Sequence, residues 1–164
     1  MRAFAGLLFG LVAVALVLSG SASGQEKKVD LKKVPKAVLK AVKDKFPKAK
    51  IISASTEKEN DKTVYEIQIK NEGKSADVTV TPEGKITTVE TTIPYKELPK
   101  VVAEAFEKKY PRATVKRTEE VGDGDKVTHY ELLIVTSDKK TLEVEFDTKG
   151  KFIKEEKKSG KDDD

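Results

Sequence analysis

His129 is the only imidazole in the chain and cysteine is absent, so few side chains can do nucleophilic or metal chemistry. A Ser–His–carboxylate mechanism needs that histidine as its base, held near a nucleophile and oriented by an acid. The stretch Thr128-His129-Tyr130-Glu131 alternates as a strand does, which places His129 and Glu131 on the side away from the apolar residues, where a solvated role is expected. No Gly-x-Ser-x-Gly elbow accompanies it. For metal ligation there is no thiolate. "DGD" at 123–125 and "DDD" at 162–164 lack the alternating-oxygen loop, closed by a glutamate, that encloses calcium. The first reads as a hairpin turn and the second as tail. A paired-carboxylate hydrolase would draw on Glu66, Glu131, Glu143 and Glu145, but a solvated strand face is expected to leave their pKa values unraised. Gly122 and Gly124 are followed by no Gly-Lys-Ser/Thr and make no phosphate cradle. The aromatics fall in the core pattern rather than in an open stacking row, which argues against nucleic-acid binding. No catalytic residue, metal ligand or cofactor site is expected.

The elements that would carry any site follow an export signal. Met1 and Arg2 precede "AFAGLLFGLVAVALVLSGSASG", an apolar run with small residues after it, and residues 1–24 read as a signal peptide. An uncleaved anchor is the rival reading, since the run from Ala3 to Leu18 sits at the short end for spanning a bilayer. After cleavage no membrane span is expected, and the mature protein would be periplasmic or extracellular. Without cysteine, an exported domain must be held by an apolar core instead of disulfides. The mature part carries 31 basic residues (32 less Arg2) against 28 acidic, a mixed surface with no bulk nucleic-acid or membrane bias. Gln25 to Lys50 is locally basic, however. Residues 157–164 read as a disordered charged tail.

An internal repeat organises the rest. At a shift of 64 residues, "VPKAVLKAVKDKFPKAK" overlies "LPKVVAEAFEKKYPRAT". Slightly larger shifts bring "VYEIQI" over "HYELLI" and "ADVTVTPEGKI" over "LEVEFDTKGKF". Val38, Ala41 and Val42, and likewise Val102, Ala105 and Phe106, recur three and four apart, the apolar stripe of a helix. Pro35 and Pro99 open these helices; Pro47 and Pro111 stop them. Beyond each helix the period becomes two. Tyr65, Ile67 and Ile69, then Ala76, Val78 and Val80, face inward, as do Tyr130, Leu132 and Ile134, then Leu142, Val144 and Phe146. Strands also start at Ile51/Ile52 and Val115, with "TEKENDKT" and "EEVGDGDKVT" as hairpin loops, and Gly84 and Gly150 supply the φ > 0 of tight turns. The fold class is α+β: two tandem repeats, residues 31–93 and 98–156, each one helix followed by about four short antiparallel strands. The helices cover one face of adjoining sheets, because one unit alone buries too little.

A helix ending in aromatic-Pro-x-Ala, a Tyr-Glu-aliphatic strand and an alternating strand closing in an x-x-x-Gly-Lys turn, in tandem behind a signal peptide, resemble the exported PepSY-like proteins grouped with the beta-lactamase-inhibitor-like fold. The resemblance covers residues 31–156. It implies a non-enzymatic module that binds a protein or peptide partner in the cell envelope, peptidase inhibition included, and carries over no contact residues. The sheet face turned away from the helices is the place to look, and its candidate binding residues are Glu66, Gln68, His129, Glu131, Leu133 and Val135. Asp77, Thr79, Glu143 and Glu145 point the same way. Leu133 and Val135 are apolar where a wet face is expected: either they dock a partner or the other repeat covers them. The alternative function is a structural protein held to anionic surfaces by the basic segment 25–50.

Overall fold

The computed structural model describes residues 27–59 and 61–158, so the expected signal peptide and residues 159–164 of the expected tail lie outside the described residues. The order is β1 (Lys27–Val29), α1 (Lys36–Lys45), β2 (Lys50–Glu59), β3 (Lys62–Asn71), β4 (Lys74–Val80), β5 (Ile86–Thr92), α2 (Lys100–Lys109), β6 (Thr114–Gly122), β7 (Val127–Val135), β8 (Thr141–Asp147) and β9 (Phe152–Lys157). All the strands join one antiparallel sheet in chain order. The protein is α+β, with two helices on a nine-stranded sheet.

Each helix begins directly after its proline and ends at an aromatic. Phe46 N–H donates to Val42 O and Tyr110 N–H to Phe106 O, both at 2.8 Å, before Pro47 and Pro111 forbid a further turn. The helical stripes build two separate cores on one side of the sheet. Val38 and Val42 pack with Ala54, Ile67, Ile69, Ala76, Val78, Val80 and Val89. Val102 and Phe106 pack with Ile93, Leu98, Tyr130, Leu132, Ile134, Val144 and Phe146. Phe146 sits edge-on to Phe106 and to Phe152, with ring centroids 6.4 and 5.7 Å apart.

The glycine turns lock each sheet half to its helix. Gly84 and Gly150 have φ of 89° and 79°, and a Cβ on them would lie 2.8 Å from Ala37 O and 2.5 Å from Val101 O, in the first helical turns. Only glycine allows both the left-handed backbone and that approach. The two halves meet where β5 pairs with β6, from Val89↔Gly122 to Thr92↔Glu119. Lys45 on α1 adds a salt bridge to Asp125 in the β6–β7 turn, N to O 2.5 Å.

Three boundaries differ from the sequence expectation. The strands of the first hairpin in each half are long rather than short: β2 runs to Glu59 and β3 starts at Lys62, and the second loop shrinks to residues 123–126. "TEKENDKT" is mostly ladder, because Glu57↔Val64, Lys58↔Thr63 and Glu59↔Lys62 pair side by side, and Glu59 and Lys62 carry opposite charges. "EEVGDGDKVT" keeps its turn, where Asp123 Oδ1 accepts from the N–H groups of Asp125 and Lys126 at 2.9 Å. The basic segment contributes an unexpected edge strand, β1, with Lys28 opposite Ser55. Two residues expected in the tail belong to the sheet instead: Lys157 ends β9, and Lys158 N–H donates to Thr141 O at 3.1 Å.

Candidate functional site: the acidic face of the sheet

Strand alternation leaves every second side chain on the face opposite both helices, and cross-strand register decides which meet. In the middle of that face, Glu90 on β5 lies opposite Asp77 on β4, Glu119 on β6 opposite Glu131 on β7, and Glu131 opposite Glu145 on β8. One oxygen each from Glu90, Glu119 and Glu131 falls within a span of 4.8 Å. Five neighbouring strands thus bring carboxyl groups together that are far apart in the chain.

This face is not solvated as its polar composition predicts. Glu119 and Glu145 are 4% and 7% exposed, and Leu133 is 8% exposed between Arg117 and Glu143. Burial, followed by the charges of Glu131, Glu119, Glu66 and Asp77, pushes the Glu90 carboxyl up to about 8. Burial also raises Glu119 and Glu131, although Arg117 and His129 respectively work against it. The expectation that a solvated strand face leaves the carboxyl pKa unraised is therefore corrected for Glu131: neighbouring long side chains shield it from water, and like charges accumulate around it.

Cations ring the cluster. Arg117 Nε lies 3.0 Å from Glu119 Oε2, Lys154 Nζ 2.9 Å from Glu145 Oε1 and Lys158 Nζ 2.9 Å from Glu143 Oε1. His129, expected to be solvated, is half-buried with its Nε2 3.2 Å from Glu131 Oε1 and 3.9 Å from Glu145 Oε2. Its Nδ1 lies 2.9 Å from Thr128 Oγ1, and that hydroxyl donates to Val121 O at 3.1 Å.

Of the six candidate residues, His129 and Glu131 enter this cluster. Leu133 is buried beside it, so its side chain is not an open apolar contact. Val135 lies half-buried at the end of β7, opposite Thr114 and Thr141. Glu66 and Gln68 stand on β3; Gln68 is exposed, with its Oε1 accepting from Ser53 Oγ at 3.2 Å, and Glu66 is half-buried. Glu90, Glu119 and Arg117 were not singled out from the sequence. The signal available was their alternation with inward residues; what could not be read was which strands pair and in what register.

The chain belongs to the family described as beta-lactamase-inhibitor-like, PepSY-like, whose profile matches residues 21–88 and again 78–154. Solved structures share the fold. A BLIP-like protein of Bacteroides fragilis is 19% identical, with 78% of this chain and 89% of that one covered and a TM-score of 0.60. A DUF2874 family protein of Bacteroides uniformis is 17% identical, over 75% of this chain and 88% of that one, with a TM-score of 0.64. A protein of Bacteroides eggerthii described as periplasmic is 18% identical, over 76% and 88%, with a TM-score of 0.65. No curated protein matches the chain.

Proposed function

We propose that this protein is an exported, non-enzymatic binding module whose acidic sheet face engages a protein or peptide partner in the cell envelope through a cationic segment of that partner. The carrying observation is the crowding of Glu90, Glu119 and Glu131 on the face opposite both helices, where burial and then the neighbouring carboxylates raise their pKa values. A cationic side chain set among them would relieve that repulsion and let the carboxyl groups ionise, so part of the binding energy comes from charge that folding leaves poorly compensated. Membership of a beta-lactamase-inhibitor-like family and likeness to a structure described as periplasmic support the binding role and the envelope location. Inhibition of an envelope peptidase is one form such binding would take.

The test is affinity capture of envelope proteins with the mature chain, beside a Gln68→Arg/Glu156→Lys variant that adds positive charge at two places around the face. A captured protein that is lost in the variant and eluted by moderate salt supports the reading, and that protein is then assayed for inhibited peptidase activity. Capture that is indifferent to the variant overturns it. Salt-sensitive binding to anionic vesicles, unaffected by the variant, would instead favour attachment through the basic segment.

A further inference from the structure

His129, Glu131 and Glu145 pose a problem of hydrogen-bond chemistry that the binding role does not answer. Thr128 has one hydroxyl proton, and its contact with Val121 O uses it, because a carbonyl can only accept. The hydroxyl must then accept from His129, so Nδ1 carries the ring proton. In the neutral imidazole Nε2 is consequently a lone pair. Its neighbours are Glu131 Oε1 at 3.2 Å and Glu145 Oε2 at 3.9 Å, which are also lone-pair donors. Three such atoms converge, all within 4.8 Å of one another, and either a shared proton or a cation among them would satisfy all three.

The surroundings hold these atoms in place. Glu145 is 7% exposed, and Lys154 Nζ takes its other oxygen, Oε1, which leaves Oε2 turned toward the imidazole. Thr128 fixes the ring orientation from behind, as an outer partner does for a metal-bound histidine. For an ion held at roughly 2.1 Å from each ligand, tetrahedral angles put ligand atoms about 3.4 Å apart. The two distances at His129 bracket that separation.

We propose that His129 Nε2, Glu131 and Glu145 bind one divalent transition-metal ion of the zinc class, with its remaining position open to water or to a partner's side chain. The imidazole nitrogen selects the class, since calcium and magnesium take oxygen ligands while zinc takes nitrogen and carboxylate together. The site is formed by two residues two apart on β7 and one directly across on β8, and it shares Glu131 and Glu145 with the acidic face proposed to bind a partner.

The proposal is tested by titrating Zn²⁺ into the folded mature chain by calorimetry, with Ca²⁺ and Mg²⁺ in separate arms. One zinc per chain is expected, weakened at least tenfold in His129→Ala and in Glu145→Gln, with neither calcium nor magnesium competing at equal concentration. Circular dichroism checks that both variants fold. Cobalt added to the unaltered chain gives a second readout that needs no variant: a visible absorption band of tetrahedral strength and paramagnetic shifts of the His129 ring protons. No stoichiometric zinc binding, binding unchanged in folded His129→Ala, or cobalt signals that spare the His129 ring would each overturn the proposal.

Discussion

Glu90→Gln isolates the cost of the crowded carboxyl groups. The Glu90 carboxyl titrates near 8 in the folded protein against a reference of 4.5, so between these values the folded state holds a proton that the unfolded chain has lost. Stability then falls as pH rises across that window, by about 1.4 kcal/mol per pH unit for this group. The full window corresponds to roughly 5 kcal/mol as an upper bound, and relaxation of the partly exposed site brings the expectation to about 2–3 kcal/mol. Glutamine keeps the shape and removes the ionisation. Urea unfolding at pH 5, 7 and 9 should therefore show the variant close to the unaltered protein at pH 5 and about 2–3 kcal/mol more stable at pH 9. Two stability curves that run parallel from pH 5 to 9 would refute the reasoning, because they would mean that Glu90 ionises as easily folded as unfolded.

Other outcomes follow from packing. Gly150→Ala should cost more than about 2 kcal/mol in chemical denaturation, because the added Cβ would meet Val101 O at 2.5 Å on a backbone with φ of 79°. Gly73→Ala, with φ of 90° but nothing within 4 Å, should cost about 1 kcal/mol, so the difference between the two measures the close approach itself. Phe106→Ala should cost about 3–5 kcal/mol, since Phe106 is 3% exposed and in ring contact with Tyr95, Tyr110 and Phe146. Lys45→Met should change unfolding free energy by less than about 1 kcal/mol, because the Asp125 side chain that it pairs with is 82% exposed.

Much of the fold is local and was therefore legible in the sequence. Helix stops at Pro47 and Pro111, the inward rows beginning at Tyr65 and Tyr130, and the turns at Gly84 and Gly150 each depend on residues within a few positions of one another. Leu133 shows where that reasoning ends. Alternation placed it correctly on the face away from the helices, yet its burial depends on Arg117 and Glu143, which reach it from other strands. Glu90 makes the same point through charge: its raised pKa comes from burial together with acids on β3, β4, β6 and β7. His129 and Glu131 were visible as neighbours on one strand face, but Glu145 joins them only through the register of β7 with β8. Residue spacing determines the period of an element, whereas a site made across strands depends on pairing decided by the whole sheet.

The ends of that sheet bear on whether copies of the molecule can join edge to edge. A ladder assembled edge to edge has no intrinsic stopping point, and an unpaired strand is a template for another chain. At one end stands β1, three residues long, with Lys27 and Lys28 exposed; at the other, β9 carries Lys154 and Lys157 and leads into Lys158. Removing β1 would uncover Ala54, Ser55 and Thr56 and leave the whole Lys50–Glu59 edge of β2 open for pairing. A chain starting after Asp30 should accordingly form edge-to-edge dimers or longer assemblies, so these few lysine-bearing residues act as a terminator of growth.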